Sequence, residues 1–194
     1  MKRNNKTQFI TVCGLFGAVS AVLMFFSFNV PLMPSFIKMD FSELPALLAA
    51  YSYGPLAGVA VCAIKNLINV FATTTGGVGE LSNFMLGAMF VMPAGIIYKK
   101  FRTKKGALVG ALVGALVMAT VSVLTNYYIV YPVYTIFMPM ETIIGMYSAI
   151  YPVENLWQAL IIFNMPYTFV KGMVNVVIAM WIYKPLSPLL KKLR

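Results

Sequence analysis

KKFRTKKGALVGALVGALVMATVSVLTNYYIVY, residues 99 to 131, is the stretch on which the fold turns. Lys99, Lys100, Arg102, Lys104 and Lys105 crowd its start, and from Gly106 to Tyr131 no charge follows. A helix rising 1.5 Å per residue crosses roughly 30 Å of hydrocarbon well within such a run. Lys and Arg near span ends stay cytoplasmic, so the basic cluster marks the inner side and the tyrosines the outer. Gly106, Gly110 and Gly114 share one stripe of this helix, with Ala107, Ala111, Ala115 and Ala119 beside it. Small residues four apart let helices approach closely in lipid, either within the chain or against another membrane subunit.

The remaining charges fall into the same pattern. Lys2, Arg3 and Lys6 precede the first apolar run, and Lys184, Lys191, Lys192 and Arg194 follow the last. All five acids, Asp40, Glu43, Glu80, Glu141 and Glu154, map to the opposite side. The composition agrees, with 60% hydrophobic residues, 10% charged and a mean hydropathy of +0.83. Soluble domains carry roughly 25% charged residues. A net charge of +10 on clusters flanking apolar spans points to anionic lipid headgroups and topology, not to nucleic acid. The first apolar stretch is too long, and lacks the small-residue cleavage site, for a signal peptide. Cys13 and Cys62 sit apart in apolar runs and no His is present, so neither a disulfide framework nor a metal site is expected.

These features predict an all-α integral membrane protein, a six-transmembrane-helix bundle with both termini cytoplasmic, forming a single domain over residues 1–194. The first helix runs from Thr7 to Phe28, and a Pro-rich outer connection with Pro31 and Pro34 extends from Asn29 to Asp40. A short second helix, Ser42 to Tyr53, turns at Gly54-Pro55 into a third that reaches Ala72. After a Thr/Gly loop, Thr73 to Gly79, the fourth spans Glu80 to Tyr98 and the fifth Gly106 to Tyr131. An outer loop with Pro132, Pro139 and Pro152 precedes the last helix, which runs to Lys184 and bends at Pro166. In the first helix Gly14 with Ala18, and Gly17 with Ala21, form overlapping small-residue pairs. They too suit either internal packing or docking.

Ionisable and amide side chains at bilayer depth are costly unless paired or facing a cavity. Lys65, with Asn66 and Asn69, stands about 15 Å above the inner turn at Pro55. It is either a site residue or a structural partner of Glu43 or Glu80. Asn164, Thr168, Lys171 and Asn175 fall at i, i+4, i+7 and i+11, one continuous helix face amid Phe163, Tyr167, Phe169, Val170 and Met173. That face either lines a site or glues helices together. Asn126 lies near the outer boundary among Tyr127, Tyr128, Tyr131 and Tyr134, which also suit an aromatic belt. Glu80 and Asn83 share a face, although Glu80 could simply complement a helix N-terminus. Together these residues describe a cup open outward, suited to a small hydrogen-bonding ligand with an apolar end. The inner half carries no comparable polar content. That weighs against a pore or a self-sufficient secondary carrier, and the outward position of the acids weighs against a lipid-headgroup enzyme.

The segments FIKMDFSELPALL (36 to 48), GPLAG (54 to 58), IKN (64 to 66), GELSNF (79 to 84), TNY (125 to 127), YPVY (131 to 134) and PYTFVKG (166 to 172) occur in a telling order. In that order and spacing the chain resembles the riboflavin-specific substrate-binding (S) components of energy-coupling-factor (ECF) transporters, the RibU family. The resemblance implies six helices, a flavin bound on the extracellular side of a bacterial cell membrane, no catalytic activity and no cofactor beyond the transported ligand. It also implies a shared energising module of one transmembrane T component and two ATPases. The chain has no G-x-x-x-x-G-K-[ST] loop of its own to bind ATP.

By that resemblance the flavin site takes in the outer loop and the start of the second helix, hence Lys38, Met39, Asp40, Phe41 and Leu44, together with Asn126 and an Asn-x-x-Lys pair. Here the pair reads Thr168-x-x-Lys171, with Asn164 one turn away as a substitute for the asparagine. Lys65, Glu80, Asn83 and Asn175 complete the candidates. Gly14, Gly17, Ala18 and Ala21 match the small residues through which the family docks its membrane partner. Asn and Lys suit the pyrimidine edge of a flavin, and Met, Phe and Tyr its dimethylbenzene end. Asp40 and loop backbone suit the ribityl hydroxyls, and Lys38 is the evident cation for a phosphate at the mouth. Composition and spacing alone leave another vitamin open.

Overall fold

The computed structural model describes residues 5–73 and 75–193, with side chains from 6 to 182 apart from 74. Lys2, Arg3 and Arg194, and the side chains of Lys184, Lys191 and Lys192, lie outside these described residues, so the charge argument rests on the middle cluster. The helices are α1 (Asn5–Phe25), α2 (Glu43–Tyr53), α3 (Pro55–Val70), α4 (Val78–Lys100), α5 (Lys104–Thr125), α6 (Tyr131–Tyr134), α7 (Met140–Ser148), α8 (Leu156–Ala159) and α9 (Met165–Leu193). Four stretches, Lys6–Phe25, Val78–Lys100, Lys104–Tyr134 and Leu156–Ile182, are long and apolar enough to cross a membrane. With 16 residues α3 falls short of that length, and with 11 α2 falls further short. Ile10, Leu15, Val22, Leu116 and Trp181 are exposed on the long helices. Water would disfavour such a surface, whereas hydrocarbon dissolves it.

Close approach between α4 and α5 organises the bundle. A side chain at Gly114 would strike the Phe90 carbonyl at 2.3 Å, and one at Gly110 the Ala94 carbonyl at 2.8 Å. The glycine stripe therefore works inside the chain, letting two backbones touch where lipid supplies no hydrophobic drive. Thr103 starts α5 by accepting a hydrogen bond from the Gly106 amide at 3.0 Å. Gly54, at φ +99°, both ends α2 and starts α3, a backbone state that other residues rarely adopt.

Besides α9, which runs to Leu193 rather than Lys184, three elements depart from the sequence expectation. First, α1 stops at Phe25 rather than Phe28, because Phe28 and Asn29 (β1) pair antiparallel with Met39 and Lys38 (β2). The Pro-rich connection is thus a short β-ribbon lying beside the helix bundle. Second, the outer loop holds α7, with Tyr147 fully buried at its end. Third, the fifth helix continues past Tyr131 through a π-helical turn, Asn126–Val130, into α6. A second π-helical turn, Leu160–Asn164, leads into α9.

Each π turn lies two residues before a proline, Pro132 in one case and Pro166 in the other. Proline cannot donate the next helical hydrogen bond, and a widened turn takes up the mismatch. The expected disturbance at Pro166 therefore takes the form of a π turn just before it.

Candidate functional site

A cavity of about 830 Å³ lies between the β-ribbon, helices α1 to α7 and α9, reaching from Ser27 and Ser35 in the loop to Leu86 and Met118. Of the sequence candidates, Lys38, Asp40, Glu80, Asn83, Asn126, Asn164, Thr168 and Lys171 line it. Met39, Phe41, Leu44, Lys65 and Asn175 do not. On β2 alternate side chains face opposite ways, so Lys38 and Asp40 point in while Met39 is buried on the other side. Phe41 packs on Phe28, with ring centroids 6.1 Å apart. Leu44 belongs to the apolar core. Asn175 is fully buried and donates to the Lys171 carbonyl at 2.9 Å.

Lys65 is fully enclosed and sits 2.8 Å from Glu43, which settles its partner between the two acids considered. It also donates to the hydroxyl of Ser42 and, at 3.4 Å, to the Asn83 carbonyl oxygen. Beside this pair, Lys171 lies 2.8 Å from Asp40 and 3.7 Å from Glu43. The Asp40 carboxylate in turn accepts from the amide of Ser42 at 2.9 Å and from its hydroxyl. Two cations and two anions thus form one closed quartet at the edge of the cavity.

Burial alone would raise the Asp40 carboxyl, but Lys171, Lys65 and the Ser42 hydroxyl outweigh it and hold it well below the usual carboxylate range. Its consequence for stability follows by linkage. A depressed carboxyl contributes stability above its unfolded pKa and loses it as pH falls.

The opposite wall is aromatic. The hydroxyl of Tyr147 donates to Asn164 Oδ1 at 2.7 Å, Asn164 Nδ2 donates to the Tyr131 hydroxyl at 3.4 Å, and the two tyrosines also bond each other. Asn164 is therefore largely committed to tying α6, α7 and the second π turn together. One amide hydrogen remains for a ligand, which limits how far it can stand in for the asparagine that the resemblance expects at Thr168. Phe36, from the ribbon loop, packs against Tyr131, Tyr134 and Tyr147 with centroids 6.0 to 6.2 Å away.

Glu80, in the first turn of α4, accepts from Thr73 at 2.8 Å and Thr75 at 3.3 Å, so the Thr/Gly loop is folded around it. Asn126, at the start of the first π turn, is buried and makes no side-chain hydrogen bond among the described residues. Tyr167 also lines the cavity, and its hydroxyl is buried with no partner among them. From the sequence Tyr167 reads as part of an apolar flank. Its spacing, three residues after Asn164 and four before Lys171, is the signal that could have found it.

The small residues of α1 divide into two pairs. A side chain at Gly17 would strike Ile64 of α3 at 2.5 Å, and Ala21 is buried with its carbonyl accepting from Asn69 at 3.4 Å. Those two are internal packing residues. Gly14 and Ala18 are exposed, and nothing lies within 4 Å of a side chain built at Gly14.

A deep cavity among helices apolar enough to cross a membrane, lined by residues with unpartnered amide and hydroxyl groups, fits a membrane receptor for a small molecule. Residues 8–183 match the family described as ECF transporter, substrate-specific component. The riboflavin transporter RibU of Staphylococcus aureus (strain TCH60) is 31% identical over 194 residues, covering 100% of this chain and 96% of that protein. The riboflavin transporter FmnP of Bacillus subtilis (strain 168) is 32% identical over 192 residues, covering 97% of each. A solved structure titled "Structure and mechanism of the S component of a bacterial ECF transporter" superposes with a TM-score of 0.77 at 30% identity, covering 97% of this chain and 99% of that one. The chain belongs to the substrate-specific components of ECF transporters.

Proposed function

We infer that this chain captures riboflavin on the outer side of a bacterial cytoplasmic membrane and delivers it inward as the S component of an ATP-driven ECF transporter. The observation that carries the reading is the cavity itself. Asn126 from the first π turn meets Tyr167 and Lys171 from α9 in it, facing a wall of Phe36, Tyr131, Tyr134, Met138 and Met146. The Asn126 amide offers a donor and an acceptor to the alternating edge of a flavin, and Tyr167 and Lys171 add donors. The aromatic and Met wall suits the dimethylbenzene end. The relatives' names support the vitamin.

In this reading six helices cross the membrane with both termini inside. The ribbon forms the outer cover, and Gly14 with Ala18 face the transmembrane subunit of an energising module that also holds two ATPases. The test is spectroscopic. Purified protein should carry flavin absorption or quench the fluorescence of added riboflavin at one-to-one stoichiometry, and unlabelled riboflavin should compete better than other vitamins. A colourless preparation indifferent to riboflavin ends the proposal, and tighter binding of a different vitamin transfers it to that ligand.

A further inference from the structure

At the other end of the bundle, a cleft of about 260 Å³ lies between the α2–α3 turn and the end of α4. A side chain at Gly95 would strike Pro55 at 2.9 Å, so the start of α3 is pressed against α4 and brings Gly54 beside Lys99 and Arg102. Tyr51 and Tyr98 form the floor, with ring centroids 4.7 Å apart. Tyr51 is fixed there by donating to the Ala107 carbonyl at 2.7 Å. Lys99 and Arg102 are exposed and make no ion pair among the described residues, and no acid lines the cleft.

We propose that this cleft is a second binding site, which takes the phosphate headgroup of an anionic phospholipid from the inner leaflet. Two cations at its rim match a phosphate, Arg as a planar fork and Lys as a point charge. Tyrosine rings suit the boundary between headgroup and acyl chain. The volume holds a headgroup but is under a third of the outer cavity's, 260 against 830 Å³. Basic pockets between membrane helices on the cytoplasmic side recognise anionic lipid in this way. The assignment rests on the proposed topology, in which both termini and the basic cluster of Lys99 and Arg102 face inward, and not on the identity of the vitamin.

The full chain in detergent is titrated with phosphatidylglycerol and with phosphatidylcholine, and retained lipid is read by native mass spectrometry. Phosphatidylglycerol should be retained in preference. Lys99→Gln with Arg102→Gln should weaken that retention about tenfold or more, the scale of two cations at an anionic surface. Lys104→Gln with Lys105→Gln, which removes two charges of the same cluster outside the cleft, should leave it within twofold. No preference for the anionic lipid, or equal loss in both double variants, overturns the site.

Displacement of the lipid by millimolar glycerol 1-phosphate assigns the cleft to a soluble phosphate ester and overturns the lipid source. Labelling of Lys104→Cys by an impermeant maleimide outside intact cells overturns the inner-leaflet assignment. Riboflavin titration of the same preparations separates the two proposals. Loss of flavin binding with the lipid pattern intact counts against the vitamin alone.

Discussion

Replacing Lys171 by Met takes one cation out of a quartet that holds two of each sign, and its consequences divide cleanly between stability and affinity. Asp40 loses its 2.8 Å partner and Glu43 a 3.7 Å one, leaving Lys65 alone against two buried carboxylates. Removing one member of a buried pair costs about 3–5 kcal/mol. The Lys171 side chain is 13% exposed, so the lower end, about 3 kcal/mol, is the fitting figure. For a chain of this size that corresponds to roughly 6–12 °C in Tm.

Asp40→Asn removes the opposite charge and should cost a similar amount. The double variant restores neutrality through the remaining Lys65–Glu43 pair. Its cost should fall below the sum of the singles by at least about 1.5 kcal/mol, within the range seen for residues in direct contact. Buried Cys13 and Cys62 provide the assay, since a thiol-reactive dye reports their exposure as the protein melts. Riboflavin fluorescence titration runs alongside. Both Lys171→Met variants should bind roughly 5- to 150-fold more weakly, from the loss of a charged hydrogen bond worth about 1–3 kcal/mol. Strict additivity of the two single variants would refute the quartet. Wild-type affinity in the double variant would remove Lys171 from the flavin's contacts.

Tyr167→Phe deletes a buried hydroxyl that has no partner among the described residues. The ligand-free protein should melt no lower, while flavin affinity falls about fivefold or more on titration. Gly14→Leu with Ala18→Leu should abolish riboflavin uptake by cells but leave binding to the purified chain unchanged, because nothing in the chain lies within 4 Å of a side chain at Gly14. Gly17→Leu, which strikes Ile64 at 2.5 Å, should instead lower Tm and binding together. The depressed Asp40 carboxyl predicts that ligand-free Tm falls as pH drops below about 4, and that Asp40→Asn flattens this fall.

The long spans were legible because a bilayer demands uninterrupted apolar runs with charges or boundary aromatics at their ends, and Gly106–Tyr131 meets both conditions plainly. The polar face of α9 was legible for a related reason. Asn164, Thr168 and Lys171 on an oily helix must face inward, and in the structure they line the cavity. The pairing of Lys171 with Asp40 was not, because 131 residues separate them and either lysine could have served Glu43. Nor were the π turns, although each sits two residues before a proline in an otherwise helical run. The hub role of Tyr147 was hidden because it lies on a short helix within a stretch rich in prolines. The division of the α1 small residues depends on which neighbour packs where, and spacing alone treats all four alike.

Net neutrality of the buried quartet carries a further consequence for energetics. Each elementary charge moved through the full transmembrane voltage exchanges about 2.3 kcal/mol per 100 mV. Lys65, Lys171, Asp40 and Glu43 sum to zero, so an uncharged vitamin seated beside them adds no gating charge. Under the proposed function, resting potential then neither draws this cargo in nor holds it back through the quartet, and the work of release falls to chemical fuel rather than to the electric field.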